Sequence, residues 1–106
     1  MLSNNTIARA RTTDEYVEMI KQAIDETFDL RQAIEYDEFM DEVRDFIDDL
    51  EAMLKQLYAS MEDGTYQFAT GDLPFVALME KHHEAMLPFK YLLKRINETH
   101  NKGLQI

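Results

Sequence analysis

Residues that could carry chemistry are most concentrated in the run Glu80-Lys81-His82-His83-Glu84. Glu80 and His83 are three residues apart, a spacing that places a carboxylate and an imidazole on one face of a helix. Di-metal helical bundles use two such pairs and two further Glu residues. One chain supplies one pair, whereas a symmetric dimer would supply two. A carboxylate–histidine metal-binding bundle with Glu80 and His83 as ligands is therefore an alternative hypothesis, while our main prediction includes no metal and no cofactor.

Two of the three histidines, His82 and His100, fall on apolar positions of the last predicted helix. An imidazole at such a position can find a polar partner and thereby fix the alignment of neighbouring helices, as a buried Asn does in a coiled coil. Its charge also changes near neutral pH, which would suit a pH sensor. We predict the alignment role for His82 and His100.

No group of residues indicates a catalytic site. The chain has no cysteine, which excludes thiolate chemistry and disulfides. It contains three glycines and no Gly-rich phosphate loop, and its two serines, Ser3 and Ser60, are far in sequence from any histidine. We therefore predict that the protein is not an enzyme.

The charge of the chain is strongly negative, with 21 Asp and Glu residues against 11 Lys and Arg residues and a net charge of −10. This charge argues against binding to nucleic acid or to an anionic membrane. Acidic residues are concentrated between Asp37 and Glu51, and a solvated helix face is their ordinary explanation. An acidic nucleic-acid mimic that binds a basic partner is the alternative. With no membrane span and no secretory signal, we expect a cytoplasmic location.

The first predicted helix follows a polar, aperiodic stretch, residues 1–12, which indicates a flexible N-terminal arm. Thr12 and Glu15 have the spacing of a capping box, so a helix should begin at residue 13. Its apolar stripe repeats every three or four residues and consists of Val17, Ile20, Ile24 and Phe28. We predict this helix near residues 13–27.

A second apolar stripe follows, made of Tyr36, Phe39, Val43, Phe46, Leu50, Met53 and Leu57. Ile20 and Val43 are 23 residues apart, or three heptads plus two, so the two stripes would not share one face of a single helix. We predict a break at Phe28-Asp29, where Asp29 can cap a second helix near residues 30–62. A break at Asp37 is the alternative.

Gly64 is predicted to end the second helix, and residues 64–72 form a loop whose Tyr66 and Phe68 rings should fold onto the end of the bundle. A third helix is predicted near residues 73–102, with Asp72 as its cap, a kink at Pro88 and a stop at Gly103. Its stripe steps by three and four residues and consists of Phe75, Met79, His82, Met86, Phe89, Leu93, Ile96 and His100.

These elements predict an all-α fold with one helical domain over residues 13–103. The helices near 30–62 and 73–102 should form an antiparallel hairpin of two long helices, with the shorter N-terminal helix beside it. Each long helix has three apolar positions per heptad, which is more than a two-stranded seam covers. We therefore predict a homodimer in which two hairpins form a four-helix-type bundle.

A candidate partner-binding surface lies off these stripes at the predicted kink. Leu87 and Tyr91 are four residues apart and share one helix face, with Lys90 and Lys94 at its rim. An aromatic anchor with a charged rim is typical of a protein interface. Our main functional prediction is a non-enzymatic protein–protein interaction module, a small acidic helical adaptor or regulator.

Overall fold

The computed structural model of the protein describes residues 7–34, 41–80 and 89–105, and every regular element within these ranges is an α-helix. Its helices are α1 (Thr13–Ile34), α2 (Asp41–Glu62), α3 (Phe75–Glu80) and α4 (Lys90–Lys102). The all-α prediction is confirmed for this part of the chain. Within the same ranges, no helix combines the length and the apolar content that crossing a bilayer requires.

Helix α1 begins as predicted but is longer than predicted. The Thr12 hydroxyl accepts a hydrogen bond from the Glu15 N–H at 3.0 Å, and the Glu15 carboxylate accepts one from the Arg11 N–H at 3.3 Å. The helix then continues to Ile34, so the predicted end at residue 27 and the break at Phe28-Asp29 are wrong. Because the segment contains no Gly, Pro or Asn, nothing in its local chemistry interrupts the helix. The alternative break at Asp37 lies outside the described residues.

The buried face of α1 differs from the predicted stripe. The buried residues are Tyr16, Met19, Ile20, Ala23, Thr27 and Ile34. Of the predicted stripe only Ile20 is among them, since Val17 and Ile24 are half-buried and Phe28 is exposed. Tyr16 and Thr27 can be buried because their hydroxyls donate hydrogen bonds to the carbonyls of Ile96 and Ile24. The break was inferred from the phase of a stripe that does not face the core.

Helix α2 supplies the centre of the core and ends where predicted. Four of its apolar residues are at most 3% exposed, namely Phe46, Ile47, Leu50 and Leu54. After Glu62 the chain reverses at Gly64, whose φ of 79° lies in the left-handed region. The Thr65 N–H donates to the Ser60 carbonyl at 2.9 Å, a bond typical of a Schellman cap.

The last predicted helix is replaced by two separate helices. Helix α3 has only six residues, and α4 begins at Lys90 after Phe89, whose φ of −105° and ψ of 27° are not helical. One helix over residues 73–102 is therefore wrong, and residues 81–88, including Pro88 and its predicted kink, lie outside the described ranges. The apolar residues Phe75, Met79, Phe89, Leu93 and Ile96 are nevertheless buried as predicted.

The segment that precedes α1 is docked on the rest of the molecule. Ala10 is fully buried, its N–H donates to the Thr99 hydroxyl at 3.0 Å, and its carbonyl accepts from the Gln105 N–H at 2.8 Å. The Arg95 guanidinium donates to the Ala8 carbonyl at 3.1 Å. The prediction of a flexible arm is thus wrong for residues 7–12, since these bonds fix its backbone to α4.

The two long helices that pack together are α1 and α2, each of 22 residues. Arg31, in the last turn of α1, bonds to Asp48 in the first half of α2, whereas Tyr16, in the first turn of α1, bonds to Tyr66 beyond the end of α2. The predicted hairpin instead paired the second helix with a long third helix. The apolar face of α2 is covered by α1 because α1 is one and a half times as long as expected.

Candidate functional site

The predicted site residues are only partly within the described ranges. His82, His83 and Leu87 lie outside them, whereas Glu80 is exposed at the end of α3. Across residues 7–34, 41–80 and 89–105, no three His, Asp or Glu side chains are grouped closely enough to hold a metal ion.

The predicted partner-binding residues of α4 lie at the surface. Tyr91 is 56% exposed, Lys94 is exposed, and Lys90 is half-buried. We call these three residues the α4 surface. Lys90 and Lys94 line a groove of about 280 Å³, whose apolar lining consists of Ile7, Val76, Met79 and Leu93. An exposed ring and an apolar groove on the same helix are features that an interface can use as an anchor and a pocket.

The charge at this groove is mixed, but one cation is available. Glu80, Lys90, Lys94 and Glu98 reach its rim. Glu98 is already paired with Lys102 at 3.0 Å. Lys94 forms no ion pair with any residue of the described part. The groove can therefore offer an ammonium group to an acidic side chain of a bound segment.

A chain of hydrogen bonds connects α1, the 64–72 loop and α4. The Tyr16 hydroxyl donates to the Ile96 carbonyl at 3.1 Å and lies 3.1 Å from the Tyr66 hydroxyl. The Tyr66 hydroxyl lies 2.7 Å from Nδ1 of His100. We call these three side chains the tyrosine–histidine relay. His100 thus has a polar partner, as a role in helix alignment requires.

The number of available protons determines which group donates and which accepts in each hydrogen bond of the relay. Its three bonds need three protons, and the two phenols supply only two because the Ile96 carbonyl can only accept. The third proton must therefore be on Nδ1 of His100, which donates to Tyr66, which donates to Tyr16. Burial raises the pKa of Tyr16 far above its ordinary value and also raises the pKa of Tyr66, so both phenols keep their protons. Partial burial lowers the pKa of His100.

The loop before α3 is fixed to the last turns of α4. The side-chain oxygens of Asn101 and Asn97 accept the N–H groups of Gly71 and Leu73 at 2.6 and 2.8 Å. Asp72, predicted as a helix cap, instead accepts a hydrogen bond from the Asn97 amide at 3.0 Å. The Tyr66 and Phe68 rings pack on Tyr16 with centroids 5.8 and 5.7 Å away, which confirms that they fold onto the bundle. The relay and these bonds connect the loop to α1 and α4.

The acidic face of α2 is partly neutralised by α1. The Arg31 guanidinium bonds to Asp48 at 2.9 Å and to Glu51 at 2.8 Å, and it holds the pKa of Glu51 below its ordinary value. Glu51 also lies 3.7 Å from Lys55. A base in α1 is therefore a partner of these two α2 acids.

One exposed aromatic residue was missed as a surface feature. Phe28, assigned to the predicted core stripe, is 53% exposed on α1. The sequence does contain a signal for this exposure. Asp25 lies three residues before Phe28, and Asp29 lies one residue after it. An aromatic residue between carboxylates is less suited to a core than the uncharged row that contains Ile20 and Ala23.

Comparison of the chain with protein-family models, curated proteins and solved structures finds no match.

Proposed function

We propose that the protein is a non-enzymatic interaction module that binds a partner protein through the α4 surface. The observation that carries this proposal is the exposure of Tyr91 on α4, the helix whose Lys90 and Lys94 line the groove. Tyrosine is enriched among the residues that dominate binding energy at interfaces, since a large ring with few rotatable bonds gains contact at low entropic cost.

The charge of α4 supports a partner segment that is acidic. Helix α4 has four basic residues and one acidic residue, whereas α1 has six acidic and two basic residues. A segment that places an apolar side chain in the groove and a carboxylate near Lys94 would be complementary to this surface. A basic segment would be repelled by Lys94, so the charge selects between the two classes.

Affinity capture with the full chain tests the proposal. Wild type, Tyr91→Ser and Phe28→Ser are each tagged, and the captured proteins are identified by mass spectrometry. We expect a set of proteins that wild type and Phe28→Ser retain and Tyr91→Ser loses, with all three chains melting at similar temperatures because both rings are exposed. Identical capture by wild type and Tyr91→Ser contradicts the proposal.

We also propose that the module forms a homodimer, and this proposal now rests on different surfaces. The predicted reason was an uncovered apolar stripe, yet one chain already buries Phe46, Leu50 and Leu54. A dimer would instead have to form through exposed residues. Sedimentation of the wild type should give twice the chain mass of 12.5 kDa. A chain that sediments as a monomer at high concentration contradicts the dimer.

A further inference from the structure

A second apolar row runs along α1 outside the core. Val17, Ile24 and Phe28 are spaced by seven and four residues, so they share one side of the helix. Val17 and Ile24 are half-buried, and Phe28 is 53% exposed. This row lies beside the buried face rather than within it, and Phe28 forms no ring contact with the described residues. More than half of the Phe28 side chain is therefore in contact with water.

Carboxylates line this row on its solvent side. Glu18, Asp25 and Asp29 are exposed and repeat with the same seven- and four-residue spacing. Glu18 has only a loose contact with Lys21, at 3.6 Å between exposed groups. Asp25 and Asp29, which lie three residues before Phe28 and one after it, have no ion pair anywhere in the part of the chain that the structure describes.

The other side of Phe28 is acidic as well. Arg31 lies one turn after Phe28 on the same side of α1 and points to α2, where it bonds to Asp48 and Glu51. Helix α2 has seven acidic and two basic residues. Even with Arg31 added to its two basic residues, the seven acids of α2 leave this helix with an excess of negative charge. We call Val17, Ile24, Phe28, Asp25 and Asp29 together the Phe28 surface.

We infer that the Phe28 surface docks a basic amphipathic helix of a partner protein. An apolar row with helical spacing fits the apolar stripe of a second helix packed along α1, since side-chain ridges of one helix pack between those of another. The parallel row of carboxylates then meets Lys or Arg residues that flank that stripe, and the net charge of −10 speeds their approach. A second copy of this chain has the same negative charge and is disfavoured as the occupant.

The inference adds a second binding surface to the proposed function, and it does not depend on the first surface being correct. The α4 surface offers a cation, and the Phe28 surface offers carboxylates, so the two select partner segments of opposite charge. Because they lie on different helices, either could be occupied while the other is free. A chain with both surfaces would connect two partners, which is what an adaptor does.

A synthetic peptide probe tests the inference directly. The probe is a labelled amphipathic helix of about 18 residues, long enough to form several turns, made of Leu and Lys. Its control has the same pattern with Glu in place of Lys. Fluorescence anisotropy with the full chain should show saturable binding of the Leu/Lys peptide only. Binding should weaken between about 50 and about 200 mM salt, because these contacts are exposed to solvent.

Protein variants then locate the site. Phe28→Ser should weaken binding of the Leu/Lys peptide at least about tenfold, the range of a significant interface anchor. Asp25→Asn with Asp29→Asn keeps the ring and removes two charges, so it should weaken binding and reduce the salt dependence. Tyr91→Ser is the matched control and should bind like the wild type.

Three results would overturn the inference. The first is equal affinity of wild type and Phe28→Ser, and the second is equal binding of the Leu/Glu peptide. The third is a loss with Tyr91→Ser as large as that with Phe28→Ser, which would assign the peptide to the α4 surface. Loss of partner capture by Tyr91→Ser bears only on the proposed function, so the two proposals can fail independently.

Discussion

Removing the hydroxyl of Tyr16 tests the tyrosine–histidine relay. In Tyr16→Phe the ring stays in the core, while the bonds to the Ile96 carbonyl and the Tyr66 hydroxyl are lost. The Tyr66 hydroxyl then no longer has the Tyr16 oxygen as its acceptor, and it can donate its proton to Nδ1 of His100 instead. The histidine proton must in that case move to Nε2. The substitution should therefore change stability and reverse the proton position on a residue 84 positions away.

The size of the stability change follows from the bonds that are lost. Each contributes a net of about 0.5–1.5 kcal/mol, so two bonds set an upper limit of about 3 kcal/mol. The Ile96 carbonyl keeps the helical bond that any interior carbonyl of α4 accepts, and Tyr66 keeps a partner in His100. Because no buried group is left unpaired, we expect a loss of about 1–2 kcal/mol. At this chain length, each kcal/mol lowers the melting temperature by about 4–8 °C.

Two measurements check this expectation at a pH above the ordinary histidine pKa of about 6.5. Denaturant melts compare Tyr16→Phe with Tyr58→Phe, whose hydroxyl has no hydrogen bond to any described residue and whose loss should stay within about 0.5 kcal/mol. Nitrogen-15 spectra of His100 should show the proton on Nδ1 in the wild type and on Nε2 in Tyr16→Phe. Equal stability of the two variants, or a wild-type proton on Nε2, refutes the relay.

Three further predictions concern the core and the charges. Leu50→Ala should lower the free energy of unfolding by about 2–5 kcal/mol because Leu50 is fully buried, whereas Phe28→Ala should lower it by less than about 0.5 kcal/mol. Equal losses in denaturant melts would show that Phe28 belongs to the core. Burial lowers the pKa of His100, so the unfolded chain binds the proton more readily and stability falls as the pH drops below about 6.5. His100→Gln should flatten this slope, and an unchanged slope would contradict it. Arg31 lowers the pKa of Glu51, so their contribution is complete above the ordinary carboxyl pKa and is lost as the pH falls through the lowered value. Arg31→Met should lower the free energy of unfolding by about 1 kcal/mol at neutral pH and should remove the part of its pH dependence that comes from Glu51. An unchanged acid-unfolding curve would contradict this expectation.

The features that the sequence predicted correctly depend on local chemistry. Thr12 and Glu15 form a helix start because the bonds of a capping box join residues three or four apart. Gly64 and Gly103 end helices because a positive φ favours glycine. Buried Leu50 and Leu93 were also predicted, since they lie on helices whose polar and apolar faces are sharply separated.

The features that the sequence missed depend on distant partners. Tyr16 is a core residue because its hydroxyl finds a carbonyl 80 residues away, and no local pattern indicates that bond. Tyr66 and His100 are 34 residues apart, so no local sequence pattern predicts the hydrogen bond between them. The predicted stripe of α1 contains Phe28 and leaves out Tyr16 and Thr27, which the structure buries. The error then moved the end of the helix, because the break was placed by that stripe.

The bond between Tyr16 and Ile96 also has a consequence for the order in which the chain folds. Joining residues 80 apart closes a long loop, at an entropic cost of about 4 kcal/mol. The Arg31–Asp48 contact spans only 17 residues, so α1 and α2 can pair before that loop closes. Once Tyr16 is in place, residues 7–12 are tethered close to α4, and their bonds to Thr99 and Gln105 require only local ordering. The segment before α1 should therefore dock last and detach first, and the Gln105 amide should exchange its proton earlier than the amides of α2.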